Sequence, residues 1–177
     1  MLSQMATQQT SDTTHKSILE RMGINAKETM DKMGDIVWMI KPGETEAGSL
    51  KQRMERFAFE ICNSKNIELK MALEELDGAK LSMEQRKNIY LIFKEAINNA
   101  FKYAGCSEIH VDLRLKHNML QMNIRDNGVG FDTEADQKMT LSGNGLENIR
   151  SRAKEMNGMV RIESKPGVGT EIILTVN

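Results

Sequence analysis

Three short stretches carry residue types that could do chemistry. The first is "KEAINNAFKYA", residues 94–104. At about 100° per residue, Ile89, Ile92, Phe93, Ala96, Ile97, Ala100 and Ala104 share one arc of a helix, and Glu95, Asn98, Asn99 and Lys102 share the opposite arc. Taken alone, such a polar face is simply solvated. Two adjacent asparagines in mid-helix are nonetheless unusual, because Asn is a poor helix former. An amide oxygen is a hard donor suited to magnesium, which takes few protein ligands alongside phosphate and water. Lys102, one turn beyond Asn99, would then meet a phosphate.

The second stretch is "NIRDNGVGFD", residues 123–132. Asp-Asn-Gly between two alternating apolar runs signals a hairpin. Here only one side alternates: Leu120, Met122 and Ile124 read as a strand with one buried face, whereas "FDTEADQKMTLSG" is polar and aperiodic. Asp126 has the parity of the buried set, so its carboxylate points between sheet and helices and needs a hydrogen-bond donor there. The exocyclic amine of a purine is a suitable donor, and Gly128 and Gly130 would let the backbone approach a flat ring. A strand-end aspartate closing its own turn also explains Asp126. It does not explain two glycines followed by a polar loop.

The third stretch is "SGNGLENI", residues 142–149, where Gly143 and Gly145 precede a helix. A helix N-terminus offers free N–H groups and a positive dipole to phosphate, although an ordinary loop-to-helix junction looks the same. Neither a Rossmann glycine pattern nor a P-loop is present. Late in the chain, Thr170 is in phase with Ile172, Leu174 and Val176, facing the layer that holds Asp126.

The elements that must position these residues follow from periodicity. Helices are predicted over 49–63, from about Ser82 to Ala104, and through Leu146, Ile149, Ala153 and Met156. Strands are predicted around Ile67–Leu73, Ile109–Leu115, through Leu120 to Asp126, at Val160–Ile162 and at Ile172–Val176. Most have one polar face, which suits a sheet covered by helices on one side. The expected fold is α/β, a two-layer sandwich. Before it, Leu19, Met22, Ala26, Met30, Met33, Val37 and Ile40 form one apolar helical stripe ended by Pro42. That stripe must bury itself in a bundle, on a dimer partner or on its own domain. Residues 42–48 read as a linker.

Composition bounds the function. With 177 residues, a formal net charge of -1, 28% charged and 40% apolar residues, nothing suggests an electrostatic grip on nucleic acid or anionic membrane. No apolar run is long enough to span a bilayer. Cys62 and Cys106 form no disulfide or zinc pattern and read as reduced cytosolic thiols. The 14 methionines read as packing.

Glu-x-x-x-Asn on a helix, Asp-x-Gly-x-Gly after a strand, Gly-x-Gly before a helix and Gly-Thr in a late strand together resemble the N, G1, G2 and G3 boxes of the GHKL ATPase superfamily. The resemblance covers roughly residues 49–177. Within the superfamily, "GNGLENIRSRAKEMNGMVRIESKPGVGTEIILTV" looks like the end of a sensor histidine kinase of the NarX, DesK and LytS type, and "DKMGDIVWMIKP" resembles the end of its dimerisation-helix region.

This resemblance implies a Bergerat-type ATP-binding domain at 49–177 and a partial helical dimerisation and phosphotransfer segment at 1–41. It implies that Asp126 holds the adenine amino group, supported by Thr170, and that Asn99 coordinates magnesium bridging the phosphates. Lys102 and Tyr103 would lie near those phosphates. Gly128, Gly130, Gly143, Gly145 and Leu146 would line the nucleotide, with Gly143 and Gly145 hinging a lid at 131–142. Glu95 matches the place where hydrolytic relatives keep a general base, and in a kinase it would orient the acceptor histidine or the metal shell. ATP, magnesium, a response regulator and a second copy of the chain are the implied partners, in the cytoplasm. No His-Asp or His-Glu pair occurs, and neither His15, His110 nor His117 suits a phosphoacceptor, so the acceptor is expected upstream. A hydrolytic or anti-sigma-type serine kinase relative shares the boxes, and a nucleotide-sensing interaction module without turnover shares the fold.

Overall fold

The computed structural model describes residues 22–23, 33–34, 50–74, 81–117, 119–133 and 145–177. The chain divides into two units, Met1–Glu44 and Thr45–Asn177. In the first, residues 22–23 and 33–34 are helical. The rest of the expected helical stripe, the linker at 42–48, His15, Gly143 and the lid from residue 134 lie outside the described residues.

In the second unit, helix α1 spans Leu50–Ser64 and buries Leu50, Met54, Ala58 and Cys62, one residue per turn. Asn66 takes a left-handed conformation (φ 55) and Ile67 N–H closes onto Cys62 O at 3.0 Å, which turns the chain into strand β1, Glu68–Leu73. Helix α2, Met83–Asn99, opens with reciprocal caps: Gln85 N–H donates to Ser82 Oγ at 3.1 Å and Ser82 N–H to Gln85 Oε1 at 2.8 Å. Its apolar arc is buried as the wheel predicts, with Ile89, Ile92, Phe93 and Ile97 fully enclosed. Burying a residue such as Phe93 stabilises the fold by about 2 kcal/mol, and its ring meets Phe57 of α1 edge-on at 6.2 Å.

The predicted helix does not run as an α-helix to Ala104. It widens into a π-helical turn over Ala100–Ala104, closed by Gly105 in a left-handed conformation. Strands β2 (Glu108–Lys116) and β3 (Met119–Asp126) follow, joined at His117. Helix α3 spans Gly145–Glu155, and strands β4 (Met159–Lys165) and β5 (Gly169–Val176) complete the chain.

The sheet order is β1-β2-β3-β5-β4, with β1 parallel to β2 and the other pairs antiparallel. A parallel pair needs a crossover, and α2 supplies it. One face buries Ile109, Leu113, Met122, Ile124, Ile172 and Leu174. The other face is charged and solvated, with Lys70 Nζ 2.9 Å from Glu108 Oε1 and Arg114 Nε 2.7 Å from Asp112 Oδ1. The two-layer α/β sandwich expected from the sequence is the observed one. Among the described residues no helix is long and apolar enough to cross a membrane.

Candidate functional site

Glu95 and Asn99 lie one turn apart on α2, both half-buried, and the first residue of α3 comes down over them. A Cβ built on Gly145 would lie 2.5 Å from Glu95 Oε1 and 3.3 and 3.5 Å from Asn99 Nδ2 and Oδ1, so the start of α3 sits close over both side chains. The polar arc of α2 is therefore not merely solvated. A carboxylate and a side-chain amide lie beside a helix start, whose first N–H groups have no partner within the helix and whose dipole is positive. That donor set fits a magnesium–phosphate pair: hard oxygens on one side for the cation, amides on the other for the anion. Among the described residues no cluster of three or more His, Cys, Asp or Glu could hold a metal alone. Leu146 follows Gly145 and is half-buried.

The other end of the site is built on β3 and β5. Asp126, the last residue of β3, is buried and stands opposite Thr170 in the ladder. Its Oδ1 accepts the Gly128 N–H at 2.9 Å, so the local turn foreseen as an alternative does form. Burial pushes the carboxyl above the ordinary range, while the Gly128 and Thr170 amides pull it back. Thr170 Oγ1 lies 2.9 Å from Ser164 Oγ, which also donates to Gly169 O at 3.0 Å and accepts the Phe131 N–H at 2.9 Å. Sequence reasoning missed Ser164. The signal was its place opposite Thr170 across the "KPGVG" turn, where the two residues pair directly.

No hairpin forms at Asp-Asn-Gly. Instead the corner is tied down on three sides. Asn127 Oδ1 accepts the Ser107 and Glu108 N–H groups at 3.0 and 3.1 Å. Val129 N–H donates to Ala104 O at 2.8 Å, and Gly167 N–H to Val129 O at 2.7 Å. The sequence reading took Gly128 and Gly130 as openings toward a flat ring. The structure adds a packing reason: a Cβ on Gly128 would run into Ala104, and one on Gly130 into the Lys165 carbonyl. Protein packs against both.

Lys102 and Tyr103 are exposed on the π-helical turn. From Ala100 the turn is π-helical and takes more residues per revolution, yet Ala100 and Ala104 stay buried and Lys102 stays on the polar side. His110 is exposed on the charged sheet face beside Glu108, and His117 is exposed in its turn. The cysteines are free and buried; burial pushes Cys62 up to about 11 and raises Cys106, so both stay protonated and unreactive. A concavity of about 620 Å³ lies on the charged sheet face, lined by His110, Arg114, Gln121, Arg125 and Glu171 among others. Its charges are largely matched within the face, which suits solvation.

Residues 84–177, more than half of the chain, match the family model described as histidine kinase-, DNA gyrase B-, and HSP90-like ATPase. The chain belongs to this ATPase family. Among curated proteins it is similar to an uncharacterized sensor-like histidine kinase of Chloroflexus aurantiacus, 30% identical over 89% of this chain and 27% of that protein. It is also similar to the sensor histidine kinase LiaS of Bacillus subtilis, 25% identical over 85% of this chain and 40% of the relative. Among solved structures, the histidine kinase domain of the Erythrobacter litoralis EL346 blue-light activated histidine kinase shares the fold, with a TM-score of 0.64 and 15% identity over 91% of this chain and 84% of that one. The chain spans 27% and 40% of the length of those two curated relatives.

Proposed function

We propose that the domain binds ATP with magnesium and passes the γ-phosphoryl group to a histidine other than His110 and His117, for relay to a response regulator. The observation that carries this reading is Gly145 seated over Glu95 and Asn99, where a helix start lies beside a carboxylate and a side-chain amide. Asp126 accepts the adenine amino group, with Thr170 behind it. Asn99 is the protein's ligand to magnesium; the α3 amides from Gly145 and Leu146, together with Gly143, Lys102 and Tyr103, attend the phosphates. Gly128 and Gly130 hold the floor in place. Glu95 orients the acceptor imidazole or the metal's water shell. Such transfer rests on positioning and charge neutralisation: the bond from γ-phosphorus to its bridging oxygen breaks, a phosphorus–nitrogen bond forms, and ADP leaves.

The family, and relatives longer than this chain, support the remaining assignments. Residues 1–41 are part of a dimerisation and phosphotransfer segment, 42–48 a linker and 49–177 the catalytic domain, working as a homodimer in the cytoplasm. The division at Glu44–Thr45 supports a linker there.

The test supplies the protein with magnesium, γ-labelled ATP and a separate two-helix acceptor fragment of a sensor kinase. The expected result is label on the fragment, stable to alkali and lost in acid, and at least tenfold less with Asn99→Ala. Release of inorganic phosphate with no label on the fragment would favour a hydrolase instead.

A further inference from the structure

Asn88 is a polar side chain only 1% exposed, on the first half of α2. Its Nδ2 donates to Glu155 Oε2 at 3.2 Å, and its Oδ1 accepts from Arg152 Nη1 at 3.4 Å. Both partners belong to α3. An apolar side chain would fill this position without the desolvation that a buried amide brings. What the amide adds is direction.

The spacing on α2 shows what that direction serves. Asn88, Glu95 and Asn99 are seven and four residues apart, within about 40° of one another around the helix, so they lie on one narrow stripe facing α3. Gly145 meets Glu95 and Asn99 at one end of α3, and Arg152 and Glu155 meet Asn88 at the other, so the helices run antiparallel. From Gly145 to Glu155 is about 15 Å of helix and from Asn88 to Asn99 about 16 Å, so the two spans match. Between the polar ends the helices carry fully buried Ile92 and Ile149. Apolar contact resists separation far more than it resists sliding along the helix axis. Hydrogen bonds weaken steeply with distance and angle and do resist sliding.

The geometry points to Asn88 as a positioning residue: its bridge to Arg152 and Glu155 fixes the axial position of α3, and hence the gap between the Gly145 helix start and the Glu95–Asn99 pair. A short rigid helix transmits a slide at its far end undiminished to Gly145, which lies close over Glu95 and Asn99. The inference rests on the nucleotide reading of that pair. It predicts that Asn88 governs the phosphate end of the ligand and leaves the Asp126 end alone.

Binding of a non-hydrolysable ATP analogue with magnesium is measured by calorimetry and binding of adenosine by NMR titration, each with a melting curve to establish folding. Asn88→Leu is expected to weaken the ATP analogue about tenfold and change adenosine affinity less than twofold. Asn88→Asp alone loses the donor to Glu155 and weakens the analogue likewise. In Asn88→Asp/Glu155→Gln, donor and acceptor are exchanged and analogue affinity returns to within about twofold of wild type. Unchanged analogue affinity in both single variants, equal weakening of both ligands, or no recovery in the double variant would overturn the assignment. Failure of the unsubstituted protein to bind the analogue would overturn the nucleotide reading itself, which is a separate outcome.

Discussion

Asp126→Asn should lower affinity for a non-hydrolysable ATP analogue about 100-fold while raising the stability of the ligand-free domain at neutral pH. The affinity loss has two parts. A hydrogen bond to a charged acceptor contributes about 1.5–3 kcal/mol, and the substituted amide also risks presenting N–H to an amine that is itself a donor. The stability gain follows from linkage. Burial raises the folded-state carboxyl above its ordinary value of 3.8. The folded protein therefore binds that proton more tightly than the unfolded chain does. This group's contribution is most favourable below the ordinary value, declines as pH rises through the raised one, and stays at its least favourable level above it. The variant has no such slope. Melting curves from acidic to neutral pH should show the wild type losing this increment and the variant retaining it. Nucleotide affinity has the opposite sign, because the ionised carboxylate is the acceptor: in the wild type it falls as pH drops toward the raised value. A variant with unchanged affinity would remove Asp126 from the site.

Gly169→Ala is expected to destabilise the domain by about 3–4 kcal/mol. Gly169 has φ 111, a region closed to side chains, and a Cβ there would drive into the Asp126 carbonyl, with Asp126 C at 2.9 Å and Asn127 Cα at 3.1 Å. These are backbone atoms of the strand end and corner that carry the proposed adenine contact, so they cannot rotate aside. Gly167 provides the control. It also has positive φ, 78, but its Cβ would meet nothing within 4 Å. Gly167→Ala should therefore cost about 1–2 kcal/mol, the left-handed backbone penalty alone. Urea titrations of both variants measure the difference. Equal losses would mean that the close approach of β5 to Asp126 carries no energy.

Much of this architecture was legible in the sequence because burial imposes periodicity. Strands β2 and β3 alternate cleanly, as does β5 from Ile172, and the apolar arc from Ile89 through α2 and the π-helical turn to Ala104 is buried as the wheel predicts. Parity alone put Asp126 and Thr170 on the inner face, and the ladder pairs them. The π-helical turn was not legible. Residues 100–104 read as helix because Ala100 and Ala104 keep the apolar phase, and nothing local marks the wider turn that leaves Lys102 and Tyr103 exposed. The packing against Gly128 and Gly130 was not legible for a related reason. A sequence shows that a glycine is needed, but which neighbour presses on it is decided by chain segments far away, here Ala104 and Lys165. Ser164 and Asn88 were overlooked because a lone hydroxyl on a strand and a lone amide in a helix are unremarkable until their partners are known. Asn88 did leave a trace, in its spacing from Glu95 and Asn99.

The most direct measurement is calorimetric titration of the whole protein with a non-hydrolysable ATP analogue, in magnesium and then in excess chelator. The geometry at Glu95, Asn99 and Gly145 predicts one site per chain in magnesium and at least tenfold weaker binding without it. A folded protein that binds no nucleotide, or binds it equally well without magnesium, would contradict the assignment of that cradle to a magnesium–phosphate pair.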